Sequence, residues 1–211
     1  MKSISVLLAL SLFVPLMGVF SFDPATAAET QSAAPAGNEE AKQLIKQGMA
    51  LFDQHKYAEA IADYTRALAL DSDYAEAYNN RGFTYHTLKQ YAKALADYNE
   101  AIRIRPGFAL ALINRGNLNM DQQQFAKALE DYNICLKHNP KNALAFHNRA
   151  YAYQALRQYP KALSDYNQAI KLKPDYALAY FNRAWSYKAL GQTSKANADF
   201  AKARKLDPSL K

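Results

Sequence analysis

A single cysteine, Cys135, and four histidines are all the thiol and imidazole metal ligands that 211 residues provide. No intramolecular disulfide and no Cys-rich zinc centre can be built from that stock. Glycine (7) and proline (8) are scarce for a chain of many turns, which argues against a β-rich or loop-rich fold. Long uncharged apolar runs are missing as well, apart from residues 6–20. Disorder is excluded from the other side: half the residues are apolar and only 21% are charged. What the chain has in quantity is tyrosine, with 15, and phenylalanine, with 10.

The apolar run follows Lys2 and precedes Ala25-Thr26-Ala27, the charge, core and small-residue order of a cleavable signal peptide. About fifteen residues, broken by Pro15 and Gly18, fall short of the roughly 20 that a membrane span needs. Residues 1–27 therefore read as a signal peptide cut after Ala27, with an uncleaved anchor as the competing reading, and 28–40 as a polar linker. The expected location is outside the cytosol, periplasmic or secreted.

Beyond the linker a period of 34 governs the chain. YAEAIADY at Tyr57, YAKALADY at Tyr91, FAKALEDY at Phe125, YPKALSDY at Tyr159 and the degraded TSKANADF at Thr193 are successive copies, 34 residues apart. Arg81, Arg115, Arg149 and Arg183 keep the same step. The units are 41–74, 75–108, 109–142, 143–176 and 177–210. Within each, apolar residues recur at i, i+3, i+4 and i+7 in two runs, as Tyr91, Ala94, Leu95 and Tyr98 do, which predicts two antiparallel helices. Pro106, Pro140, Pro174 and Pro208 end the second run of their units.

The order Tyr78, Gly82, Tyr85, then Ala94, Tyr98 and Pro106 resembles the tetratricopeptide repeat family. Arg in place of the family's usual Leu, Ser72 in place of Pro and Asn119 in place of an aromatic are departures. The resemblance implies an all-α solenoid of five helix-turn-helix repeats in a right-handed superhelix, whose inner face binds other proteins. The cationic clamp of the family's chaperone-serving members is not expected: Asn117 and Asn148 fit two of its places, but Ile113, Leu178 and Asn182 stand in its cationic ones.

Aligned columns separate scaffold from surface. The Tyr64, Tyr98, Tyr132, Tyr166 and Phe200 column and the accompanying Ala column read as packing, and Cys135 stands where the other repeats have Ala. The Arg column runs beside an Asp column, so Asp63–Arg81, Asp97–Arg115, Asp131–Arg149 and Asp165–Arg183 are expected as structural pairs between neighbouring repeats, an anion-binding ladder being the competing reading. At both ends the pattern changes: Asn197 and Arg204 replace core aliphatics in the final helix, the polar outer face of a terminal repeat, so a complete solenoid is expected.

The candidate peptide-binding groove comprises Asn80, Asn114, Asn148 and Asn182, with Phe83, Asn117, Tyr151, Phe181 and Trp185 beside them. The resemblance implies that the Asn column lines the concave side. Amides there can both donate to and accept from a peptide backbone, although Asn is also compatible with a solvated surface inherited by repeat duplication. The columns of Met49 and Ile45 hold unlike residues from repeat to repeat, and that is where selectivity is expected. No cofactor, metal or catalytic residue is expected; His86 and His147 fall two repeats apart with no carboxylate or Cys at ligand spacing.

Net charge climbs along the chain, from −3 over 28–40 through −1, +2, +1 and +3 to +5 over 177–211. Nucleic acid is not expected, since no nucleic-acid-binding module is present. The main expectation is a non-catalytic exported adaptor holding an extended segment of a partner protein. The alternative is a module binding a polyanion or membrane surface through the basic last repeat. Oppositely charged ends also favour head-to-tail self-association.

Overall fold

The computed structural model describes residues 39–210; the expected signal peptide and nearly all of the linker lie outside them. The described residues form ten helices and no strand. They come as five antiparallel pairs: α1 (Glu39–Asp53) with α2 (Tyr57–Leu70), α3 (Ala75–Thr87) with α4 (Tyr91–Ile104), α5 (Ala109–Asp121) with α6 (Phe125–His138), α7 (Ala143–Ala155) with α8 (Tyr159–Leu172), and α9 (Ala177–Ala189) with α10 (Thr193–Leu206). No described helix is long and apolar enough to cross a membrane.

Each pair closes on the Tyr column. Tyr64, Tyr98, Tyr132 and Tyr166 are at most 1% exposed, and in the first three repeats the ring lies against a glycine on the facing helix. A Cβ at Gly48 or Gly116 would stand 2.6 and 2.5 Å from the Tyr64 and Tyr132 rings. The small residue is required there because large side chains interdigitate only where the facing backbone yields room.

All five turns inside the pairs have the same hydrogen bonds. After α1, His55 N–H donates to the Phe52 carbonyl and Lys56 N–H to the Leu51 carbonyl; the pattern repeats at Lys89 and Gln90, at Gln123 and Gln124, at Arg157 and Gln158, and at Gly191 and Gln192. This double bond across the last turn caps the helix and demands a left-handed residue. Only Gly191 meets that demand freely; His55, Lys89, Gln123 and Arg157 adopt φ of 56–61° with a side chain.

The first helix of each later pair packs against both helices of the pair before it, chiefly the second. α1, α3, α5, α7 and α9 each touch the next of that series, whereas no two of the second helices touch among the described residues. A stack tied along one edge and splayed along the other curves, so the odd-numbered helices line its inner side.

Candidate functional site

The Arg column does not face the groove as an anion ladder, and it does not pair as the sequence suggests. Asp63–Arg81, Asp97–Arg115, Asp131–Arg149 and Asp165–Arg183 are not the pairs that form. Each Arg instead clamps the Asp sixteen residues further on, in its own repeat: Arg81 with Asp97 at 2.8 Å, Arg115 with Asp131 at 2.6 Å, Arg149 with Asp165 and Arg183 with Asp199 at 2.7 Å. Asp63 is left with Arg66, one turn away on α2, at 3.3 Å. In all four pairs Nε and Nη2 together meet both carboxylate oxygens, the fork geometry that lysine cannot supply. Burial pushes the Asp97 and Asp131 carboxyls up, and the paired guanidiniums pull them back.

The remaining guanidinium nitrogen does reach the preceding repeat. Nη1 donates to Thr65 from Arg81, to Asn99 from Arg115, to Asn133 from Arg149 and to Asn167 from Arg183, at 2.7–3.1 Å. One side chain thus closes its own helix pair and ties it to the one before. The inter-repeat link is real, and its acceptor is an amide or hydroxyl rather than a carboxylate.

The Asn column is partly spent in the same way. Asn114 Nδ2 donates to Asn79 Oδ1, Asn148 Nδ2 to Asn117 Oδ1, and Asn182 Nδ2 to His147 Nε2, each at 3.0 Å and each across one joint between repeats. Asn80 Oδ1 accepts from Asn79 and Asn148 Oδ1 pairs with His147 Nδ1. Asn148 is buried, and so are Ile45, Asn79, Ile113 and His147. The column expected beside the groove is therefore joint packing in four repeats, and only Phe181 stays half-buried. Asn80, Asn114 and Asn182 are half-buried too, and among the described residues nothing donates to the carbonyl oxygens of Asn114 and Asn182.

His147 is held as a neutral ring. Nε2 accepts from Asn182, so Nδ1 carries the proton toward Asn148; burial pushes its pKa down to about 4. His86, expected to lack a carboxylate, has one: its Nε2 lies 2.7 Å from Asp121 Oδ2, thirty-five residues on in the following repeat. Cys135 is fully buried and its thiol is pushed up to about 12 by burial, which removes it as a nucleophile. No cluster of metal-ligating side chains exists among the described residues.

What the inner face offers a ligand is the column Met49, Phe83, Asn117, Tyr151 and Trp185. Met49 is 47% and Trp185 42% exposed, and the other three are half-buried. Asn117 also accepts from Tyr132 at 2.7 Å, so its carbonyl is engaged. Leu110, one turn before Asn114, is exposed.

Curved stacks of helix pairs with an irregular inner face define a class, the helical-repeat scaffolds whose work is protein interaction. Tetratricopeptide repeat profiles match residues 48–89, 75–108, 109–142, 143–176 and 177–210. The chain belongs to the tetratricopeptide repeat family. Among solved structures it is similar to MamA from Desulfovibrio magneticus, with 18% identity, 82% of this chain and 98% of that one covered, and a TM-score of 0.70. YrrB, described as having an unusual peptide-binding site, is 24% identical over 81% of this chain and 89% of its own, with a TM-score of 0.62. The first repeat domain of Spaghetti (RPAP3), solved bound to an HSP90 peptide, is 31% identical over 56% of this chain and 94% of its own, with a TM-score of 0.54. A search of curated protein sequences finds no match.

Proposed function

We propose that the protein is a non-catalytic, exported scaffold that holds an extended segment of a partner protein along its inner face. The observation that carries this reading is the column of unlike, solvent-reaching side chains from Met49 to Trp185 on the touching edge of the odd-numbered helices. Duplicated repeats begin identical, and these positions differ while the structural columns stay alike. The carbonyl oxygens of Asn114 and Asn182, without a donor among the described residues, suit backbone N–H donors of an extended chain. YrrB and the Spaghetti domain, whose descriptions name peptides, lend the reading analogy. Export rests on the signal-like residues 1–27.

Capture of partners from the exported fraction on the immobilised chain, read by mass spectrometry, gives the candidates. Trp185→Ala is expected to weaken the captured partner by about 1–4 kcal/mol, and Asn114→Ala to weaken it further while lowering the melting temperature, because buried Asn79 loses its donor. N-terminal sequencing of the protein from that fraction should begin at Ala28. Binding abolished by neutralising Lys202, Arg204 and Lys205, with the groove variants binding normally, would instead assign the partner to the basic last repeat.

A further inference from the structure

The last repeat differs from the other four where it meets the groove. The residues in Phe181's place, Ile45, Asn79, Ile113 and His147, lie buried in the joints. Phe181 itself packs edge-on against Trp185 at 6.4 Å and Phe200 at 5.5 Å, and Trp185 meets Phe200 at 5.4 Å. Phe200 is also the one member of the aromatic core column without a hydroxyl. The three rings form a continuous apolar patch with the indole as its exposed part. Lys188 Nζ sits 4.7 Å from the indole centroid, one turn further along α9 and on the same face.

The charge of this repeat is mostly positive: over 177–211 seven Lys and Arg face two Asp, and of those Asp199 is clamped by Arg183. Lys188, Lys195, Lys202, Arg204 and Lys205 have no carboxylate partner among the described residues. An ammonium group resting on an aromatic face keeps most of its charge available to an anion at the ring's edge.

We infer that this end of the groove, Phe181–Trp185–Phe200 with Lys188 on its rim, docks an acidic protein segment that carries one aliphatic or aromatic anchor residue. The anchor covers the indole, and a neighbouring carboxylate replaces water on Lys188. The other cations of α10 steer the approach and are screened at physiological salt. The inference rests on the groove reading above and adds to it the chemistry and the polarity of the occupant.

Trp185 is the sole tryptophan of the chain, so its emission reports this site and nothing else. The probes are short synthetic peptides rich in Glu with one central Leu, their Glu→Gln and Glu→Lys counterparts, a Glu-rich peptide without Leu, and phosphatidylcholine vesicles with and without phosphatidylglycerol. Each peptide carries a fluorescent label, so that its anisotropy reports binding anywhere on the full chain. The acidic Leu peptide is expected to bind and shift Trp185 emission to the blue. The Gln, Lys and Leu-less peptides should bind more weakly, and Lys188→Gln should weaken the acidic peptide about threefold and flatten its salt dependence. Binding by anisotropy that leaves Trp185 emission unchanged and falls in Asn114→Ala keeps the groove reading and overturns this inference. Equal binding of the Lys peptide, or an emission shift with anionic vesicles alone, also overturns it. Anisotropy unchanged with every peptide overturns both.

Discussion

Gly116 and Gly82 occupy equivalent places and predict different costs. A Cβ at Gly116 would meet Tyr132 Cε1 at 2.5 Å, while one at Gly82 would meet Tyr98 no closer than 3.0 Å. A small overlap can be relieved by a shift of a few tenths of an ångström; half an ångström more forces the ring off its rotamer. Gly116→Ala is expected to cost about 1–3 kcal/mol and Gly82→Ala clearly less, as urea denaturation would show. The hydroxyls of the same two tyrosines make a second contrast. Tyr132 donates to Asn117, and Tyr98 has a buried hydroxyl with no partner among the described residues, because Phe83 stands where Asn117 would accept. An unpaired buried hydroxyl is better removed than kept. Tyr98→Phe is expected to be neutral or stabilising and Tyr132→Phe to cost about 1 kcal/mol; equal losses would mean that Tyr98 finds an acceptor in solution.

At the scale of the helix pair, the shared turn carries a correctable cost. Four of five turns place an L-residue at φ near 60°, where a side chain crowds its own backbone. Glycine removes that cost, and its larger unfolded-state entropy returns only part of it. His55→Gly, Lys89→Gly, Gln123→Gly and Arg157→Gly should each raise stability by about 0.5–1 kcal/mol, nearly additively since they lie in different repeats. His55→Gly gains least, because Nδ1 of His55 is bonded to the Tyr57 hydroxyl at 2.9 Å. A melting temperature that falls in Arg157→Gly would sink the idea.

Helices and their pairing were legible because 34 residues repeat five times, and a column averages out the accidents of one residue. The partner of each Arg was not. Four Arg and five Asp alternate along the chain, so pairing forward and pairing backward each leave one Asp over, and the count cannot choose. Helix geometry decides: across an antiparallel pair Arg81 faces Asp97, whereas from the repeat before it the reachable residue is Thr65. The groove was half legible for a related reason. Ile45, Asn79, Ile113 and His147 differ as freely as surface residues do, yet each is buried, and the last three joints satisfy their amide by different routes: Asn79 in one, Asn117 in the next, His147 in the third. Variation between repeats marks a site only after the joints have been subtracted.

For the whole molecule, those joints decide how cooperatively it unfolds. A solenoid's stability is a sum of repeat terms and nearest-neighbour terms, so weakening one joint divides the stack at that place. The joint between the fourth and fifth repeats encloses a fully buried titratable ring. His147, fully enclosed between Asn148, Asn182 and the rings of Tyr166 and Tyr176, is neutral in the fold, with a pKa near 4 against about 6.5 when unfolded. A depressed folded pKa means that the unfolded chain binds the proton first. The stabilisation is therefore whole above pH 6.5 and is lost as pH falls toward 4, at most about 1.4 kcal/mol per pH unit and about 3 kcal/mol in all. In the protonated ring Nε2 becomes a donor and opposes Asn182 Nδ2, so the loss falls on this joint. Near pH 4.5, Trp185 emission, reporting the fifth repeat, should change at lower urea than far-ultraviolet circular dichroism, which reports all ten helices; at pH 7 the two transitions should coincide. His147→Asn reproduces the arrangement that Asn79 already makes with Asn80 and Asn114, and it removes the titration. In that variant the two probes should separate no further at pH 4.5 than at pH 7. If the separation persists there, protonation elsewhere divides the stack, and His147 is not the group that sets it.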